Sequence, residues 1–480
     1  MFFIYDITRL VAKVDAPTPS GIDRVDIQYA NSIANSEYKA HFVCIVSGVF
    51  CYVETNYAKS LIQYLYNKWI LGNDFKFKKK DIAPKSASKA FSFSSRKNNF
   101  KIIDEKLFEV LSGREKDGFY VNTSHYGVGK VDAYYLFKTL GNIKIVFFLH
   151  DLIPIDFPEY VNEGDKEQHE IRVKAMSQFS DLVIVNSIYT KKRLFEYCNK
   201  NGIKTPNCVV NFIGTEQKFI NHSNQSSDKK LDFDYFIYVS TIEARKNHIM
   251  LLNLWREIVT EYGQQAPKLL LIGKSGWKNE AAIDMINRCE IIQSHVKHLT
   301  GIADEELIKY LKNAKALLFP SFVEGWGMPL VEAMTMKTPV ICSDLSVFHE
   351  AGQELAIYIS PIDSAQWKEE ILKFANDDGY REHQIHRLKK FQIPTWDSHF
   401  RIFYNTLNDL NATPGIEIKK ESISQFKLFL QKNQTSKNTK IKKIPTVYDR
   451  SRLIQKFRRN PKQYLMDSKH RILRFIGSLI

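Results

Sequence analysis

The sequence predicts an α/β protein built from two successive domains, each a parallel sheet covered by helices on both faces. Three observations carry this expectation. Short apolar runs alternate with helical patterns over most of the chain, and a polar stretch divides those runs into two series. The length, 480 residues, exceeds one ordinary domain and suffices for two substantial cores. Strands that are apolar throughout, rather than at alternate positions, belong to sheets buried on both faces.

The first series runs FFIYDI (2–7), HFVCIVSGVF (41–50), FYVNTS (119–124), KIVFFLH (144–150), DLVIVNS (181–187) and CVVNFIG (208–214). The opening MFFIYDITRL is an apolar start broken by Asp6, with neither a basic leader nor a small-residue cleavage site. It reads as a first strand and not as a signal peptide. A polar, linker-like stretch follows, NHSNQSSDKKLDFD (221–234). The second series is YFIYVS (235–240), KLLLIG (268–273), VKHLTG (296–301), ALLFPS (316–321), PVICS (339–343) and AIYISP (356–361), with helical stretches such as HIMLLNLWREIVTEY between. These two series imply Rossmann-like domains over 1–220 and 231–390 with a cleft between them. From 411 the chain turns polar and lysine-rich, a composition expected to be poorly ordered.

Charge is localised. Residues 74–101 carry a net +7 and residues 432–480 a net +12, so the +15 of the whole chain leaves −4 for everything else. A slightly acidic body with two basic segments argues for local anionic contacts and against a nucleic-acid-coating protein. The tail RSRLIQKFRRNPKQYLMDSKHRILRFIGSLI interleaves basic and apolar residues, split by Pro461 into two short amphipathic pieces. Such pieces favour an anionic membrane surface. The 74–101 insertion, with four phenylalanines among its lysines, has the same character. No apolar run approaches the roughly 20 residues of a membrane span. The six cysteines show no metal-ligand spacing and read as reduced thiols of a cytosolic protein.

One stretch concentrates chemistry: FPSFVEGWGMPLVEAM (319–334). Its start is a buried strand end, Gly325-Trp326-Gly327 is a tight turn, and Pro329 suits the first turn of the helix that follows. Glu324 therefore sits on the loop and Glu332 about one turn into the helix. The free N–H groups of such a strand–turn–helix attract anions, and carboxylates on its rim suit sugar or ribose hydroxyls. The pattern points to a nucleotide sugar.

With its flanks, EGWGMPLVE resembles the E-x7-E motif of the family-4 retaining glycosyltransferases, which have the two-domain GT-B fold. The stretch 301–346 is similar to that family almost throughout. YVSTIEARKNHIMLL (238–252), LIGKSGW (271–277), PTPSGIDRV (17–25) and FFLHDLIPI (147–155) resemble its other ordered motifs. The resemblance covers about residues 1–410. It implies that Glu324 hydrogen-bonds the donor sugar and that Glu332 accepts from the ribose hydroxyls. Gly325, Gly327, Met328 and Pro329 would shape the loop that meets sugar and phosphate. Lys246, assisted by Arg245, would neutralise the departing diphosphate. Gly21 would let backbone approach the diphosphate, and His150 would contact the sugar in the cleft. Two departures stand out: Ser240 where many members have a further arginine, and Gly21 alone where the family usually has two glycines. The resemblance also implies that 391–410 crosses back to brace the N-terminal domain.

The expected function is transfer of a hexose, with retention, from a nucleotide sugar to a glycan or lipid-linked acceptor in bacterial surface-polysaccharide synthesis. GDP-mannose is the first donor to consider. No metal or other cofactor is expected: Asp232-Phe233-Asp234 precedes a strand instead of ending one. The enzyme would sit at the inner face of the cytoplasmic membrane, held through 432–480 and also 74–101. The competing expectation is a catalytically degenerate sugar-binding or scaffold protein of the same fold, which intact Glu324, Glu332 and Lys246 argue against.

Overall fold

The computed structural model describes residues 1–46, 49–73, 105–113, 117–129, 131–223, 233–419, 421–428 and 430. The chain forms two compact units, Met1–Lys419 and Lys420–Ile480, and both sheets lie in the first. The basic segments 74–101 and 432–480, and Asp232 of the Asp-Phe-Asp triplet, lie outside the described residues.

The N-terminal sheet has the order β3-β2-β1-β4-β5-β6-β7. Its strands are β1 Phe2–Asp6, β2 Lys39–Val46, β3 Val49–Val53, β4 Gly118–Asn122, β5 Lys144–Leu149, β6 Leu182–Val185 and β7 Cys208–Val210. The C-terminal sheet has the order β10-β9-β8-β11-β12-β13. Its strands are β8 Tyr235–Val239, β9 Lys268–Ile272, β10 Val296–Leu299, β11 Leu317–Phe319, β12 Val340–Ser343 and β13 Ile357–Ile359. Every residue of β1, β4 and β5 is buried, as helices on both faces require.

Among the described residues all ladders are parallel except one. The run 41–50, expected as a single strand, contributes to two: the chain doubles back and β3 pairs antiparallel with β2, Val46 opposite Val49. Ser47-Gly48 is a two-residue hairpin signal that the unbroken hydrophobicity around it concealed.

In each sheet the winding reverses beside the first strand, between β1 and β4 and between β8 and β11. Open α/β sheets bind ligands at the carboxyl ends of strands at such switch points. The segments that leave β1, β5, β8 and β11 are those that carry Gly21, His150, Lys246 and Glu324.

The helix Trp396–Asn411 lies on the N-terminal sheet's side of the molecule, although it follows the last strand of the other sheet. Its His399 bridges the Tyr29 hydroxyl (2.7 Å) and the Phe212 carbonyl (2.7 Å), and Phe403 packs edge-on against Tyr29. The chain beyond 411 is not loose as far as 419. Lys144 donates to the Thr413 carbonyl at 2.6 Å, and Asp181 accepts the Ile416 N–H at 2.7 Å, so backbone polar groups tie this polar stretch down where its own side chains could not.

Because Phe403 is fully buried against Phe3 and Tyr29, Phe403→Ala should destabilise the N-terminal half by about 3–5 kcal/mol. Chemical denaturation measures this; a loss under about 1 kcal/mol, the level of a surface substitution, would show that the helix does not share that core.

Candidate functional site

The sheet order makes the centre of the site. Because β8 and β11 are neighbours, the loops that leave them meet above the sheet edge. The chain leaves β8 through Ser240 and reaches Lys246 in a short 3-10 turn, Ala244–Lys246. It leaves β11 towards Glu324. The Lys246 ammonium lies against Glu324 Oε1, and Arg245 Nη1 lies 2.9 Å from Oε2. Arg245 also meets Glu243 at 3.1 Å and the Val323 carbonyl at 3.2 Å. Glu324 and Lys246 are only 7% and 8% exposed. Burial alone would raise the Glu324 pKa, but Arg245 and then Lys246 prevail and hold it down to about 2. Burial and the charge of Arg245 push Lys246 downward against the pull of Glu324.

The turn behind Glu324 needs its glycines for two different reasons. A side chain at Gly325 would come within 2.7 Å of the His150 carbonyl, so this glycine permits contact between the two domains. Gly327, at φ +112°, precedes the helix Met328–Thr335 in a conformation that favours glycine. Pro329 lies in that helix's first turn, and Glu332 one turn in, as the spacing predicted.

His150 follows β5. Its Nε2 lies 2.8 Å from the Thr123 carbonyl, and its ring packs on Phe148 and beside His125. A carbonyl can only accept, so Nε2 carries the proton and Nδ1 is left as an acceptor. Burial lowers the His150 pKa to about 4, so the ring is neutral at physiological pH. That suits a hydroxyl-binding group better than a general acid. Next to it, His125 adopts φ 65°, unusual for a non-glycine residue.

Gly21 opens the helix Gly21–Ala34. Ser20 and Asp23 form a reciprocal cap there, and Arg9 holds Asp23 at 2.6 Å. A side chain added at Gly21 would meet Met328 Sδ of the other domain at 3.5 Å, an ordinary van der Waals contact. The structure thus brings Gly21, His150, Arg245, Lys246, Glu324, Gly325, Gly327, Met328, Pro329 and Glu332 to one cleft. Ser240, where the resemblance leads one to expect an arginine, bonds His248 at 3.2 Å.

Sequence reasoning missed Arg24. Its Nη1 lies 2.6 Å from Glu332 Oε1 across the cleft, and its Nε 3.4 Å from Glu216 Oε1 of its own domain. The usable signal was its place three residues after Gly21 on one helix face; nothing local marks Glu216. Glu332 is 4% exposed, and burial raises its pKa despite Arg24. Missed too was Asp26, buried with the Tyr5 and Thr123 hydroxyls at 2.7 Å and pushed up to about 7 by burial. Among the described residues no three His, Cys, Asp or Glu side chains are grouped as metal ligands would be, and no helix is long and apolar enough to cross a membrane.

Residues 219–391 match the family of glycosyl transferases group 1. The serotype-specific mannosyltransferase WbdA of Escherichia coli is 30% identical over 270 residues, covering 52% of this chain and 32% of WbdA. The O-antigen chain mannosyltransferase B of Escherichia coli is 30% identical over 148 residues, 31% of this chain and 38% of that protein. The chain therefore spans only about a third of the length of these relatives. Among solved structures, Anabaena HepE with UDP and glucose aligns at TM-score 0.57 and 15% identity, covering 85% of this chain and 99% of HepE. Sucrose-phosphate synthase from Thermosynechococcus elongatus aligns at 0.54 and 16%, covering 86% and 100%. The fold is that of GT-B proteins.

Acid sensitivity follows from the buried groups. His150, His248 and His399 are lowered from 6.5 to about 4, 3 and 4 by burial. The unfolded chain therefore takes up protons first as pH falls. Each histidine removes about 1.4 kcal/mol of stability per pH unit below roughly 6.5, until its folded pKa is reached. Glu324 acts in the same direction at lower pH: its contribution is present above 4.5 and is lost as pH falls towards about 2. Urea midpoints should fall steadily from pH 7 to pH 5, less steeply in His150→Gln. Equal midpoints across that range would contradict neutral buried histidines.

Proposed function

With residues 219–391 forming a glycosyl transferases group 1 domain as premise, we propose that the chain is a retaining glycosyltransferase. It moves a hexose from a nucleotide sugar to a glycan or lipid-linked acceptor in bacterial surface-polysaccharide synthesis. The observation that carries the proposal is the Lys246–Glu324–Arg245 cluster, packed through Gly325 against His150 of the other domain.

The chemistry follows from that cluster. As the bond from the sugar's anomeric carbon to the diphosphate breaks, negative charge grows on the leaving oxygens. Lys246 and Arg245 are fixed cations in a site screened from water, where they stabilise that charge more than the ground state. Glu324 and the His150 Nδ1 accept from sugar hydroxyls and orient the ring, and Glu332 accepts from the ribose. The acceptor hydroxyl attacks from the face the diphosphate leaves, and its proton passes to the diphosphate. Retention follows from that geometry. The reaction proposed here is metal-independent, with Lys246 and Arg245 as the cations that meet the leaving diphosphate.

GDP-mannose is the first donor to try, because the curated relatives are named as mannosyltransferases. The basic tail 432–480, with 74–101, would place the protein on the anionic inner face of the cytoplasmic membrane beside a lipid-linked acceptor.

The test is a thermal-shift panel of GDP-, UDP- and dTDP-sugars with EDTA, on wild type and Glu332→Ala. One nucleotide class, at 100 times its dissociation constant, should add about 2.7 kcal/mol to the wild type. The variant should lose most of that gain. No shift with any of them at millimolar concentration would overturn the proposal in favour of a sugar-binding or scaffold role.

A further inference from the structure

We propose that Cys44 and Cys51 form a redox-modification site, a thiol pair that closes into a reversible disulfide when a small-molecule disulfide such as oxidised glutathione is in excess. The pair's chemistry does not depend on what the cleft binds.

The strand register sets the geometry. Cys44 on β2 stands directly opposite Cys51 on β3, in the one antiparallel ladder among the described residues. Opposite residues of such a ladder send their side chains to the same face, with Cα atoms about 4.5 or 5.5 Å apart. A disulfide needs roughly 4.4–6.8 Å between Cα atoms, so either spacing admits one. The other strand cysteines lack this arrangement: Cys208 faces Val183, and Cys342 faces Phe319 and Tyr358. Cys44 and Cys51 both carry thiols in the structure.

Two features make the bond labile instead of a permanent staple. Opposed Cβ atoms in a sheet lie about 4.5–5.5 Å apart, wider than the roughly 3.5–4.5 Å of a disulfide, so closure draws the strands together and stores strain. The loop it closes, from 44 to 51, is short, and a short loop removes little entropy from the unfolded chain. Strained disulfides are the readily reduced ones. The strand β3 is at the sheet's edge, paired within the sheet to β2 alone, so the hairpin can yield without disturbing a second ladder.

The two thiols differ in access. Cys51 is partly buried at the margin of the core, and Cys44 is 9% exposed within it. The Cys51 thiolate attacks one sulfur of the small disulfide, forming a mixed disulfide and releasing one small thiol. The Cys44 thiolate then attacks the Cys51 sulfur and releases the second. In all, two protein thiols give up two electrons and two protons, and the small disulfide becomes two thiols.

Ile45 ties this hairpin to the wall of the cleft. Its N–H donates to Thr8 Oγ1 at 2.9 Å, and a side chain added at Gly127 would collide with Ile45 Cδ1. Gly127 is two residues from His125, whose ring centre lies 5.1 Å from that of His150. Strain from closure is therefore stored beside the turn that packs on His150.

The test holds the full chain in glutathione buffers of rising oxidised fraction, quenches with acid, alkylates the remaining thiols and maps the peptides by mass spectrometry. In the wild type Cys44 and Cys51 should lose their thiols together, in one cross-linked product, and excess reduced glutathione should restore both. Cys44→Ser should instead hold glutathione on Cys51. Cys51→Ser, the milder change at the core's margin, should leave Cys44 a thiol. Glutathione retained on Cys51 of the wild type, with no cross-link, would show that the strands cannot close and overturns the proposal. A cross-link from either residue to another cysteine overturns it too, as does survival of both thiols in fully oxidised glutathione. A bond between the two that excess reduced glutathione leaves intact would overturn its reversibility.

Discussion

Carboxylates can stay ionised out of water at the floor of a cleft only if cations are brought to them, and much of this molecule is arranged to bring them. Glu324 and its lysine stand 78 residues apart in sequence. They meet because β8 and β11 are adjacent at the point where the sheet's winding reverses. Glu332 meets a cation from the other domain, because the helix Gly21–Ala34 presents Arg24 to it. Replacing either partner with an apolar group would leave a buried charge alone, which is far costlier than the pair's net contribution. The arrangement therefore contributes little net stability, and recognition is the role proposed for it.

The closed cleft has a mechanical consequence. Glu324 and Glu332 are too deeply buried for a ligand to reach them without the domains parting or side chains shifting. Two chain crossings join the domains, and they run side by side: Thr215 and Thr395 form a parallel bridge, with the Thr215 N–H on the Pro394 carbonyl at 2.7 Å. Paired crossings of this kind suit a hinge. Opposite them, Glu350 accepts the backbone N–H groups of Ile188 and Tyr189 at 2.6 and 2.7 Å, a C-terminal-domain carboxylate capping an N-terminal-domain helix. Beside these polar contacts the domains also share an apolar patch, in which Ile153 and Val161 pack with Val323 and Tyr160 stacks on Phe322 at 5.8 Å, so opening the cleft exposes apolar surface as well.

Much of this was legible in the sequence, and the particular residues show why. Apolar runs located the strands because both faces of each sheet are covered. Glu324, the glycine turn, Pro329 and Glu332 could be placed because strand, turn and helix start are local events. The hairpin at 46–49 was hidden because its two strands are equally hydrophobic, leaving only a dipeptide to mark the reversal. Arg24, Glu216 and Asp26 were missed because their meaning lies in partners from distant segments, which no local pattern encodes. The order of 412–419 was missed for the reverse reason: its composition is that of a loose linker, and Asp181 and Lys144 hold it through backbone groups alone.

The central claim is that both domains grip one nucleotide sugar in this cleft. Amide hydrogen exchange with and without a saturating nucleotide sugar tests it most directly. The account predicts slower exchange in three separated segments at once: 20–28, 243–248 and 324–335. Protection confined to one domain, or falling outside these segments, would contradict it.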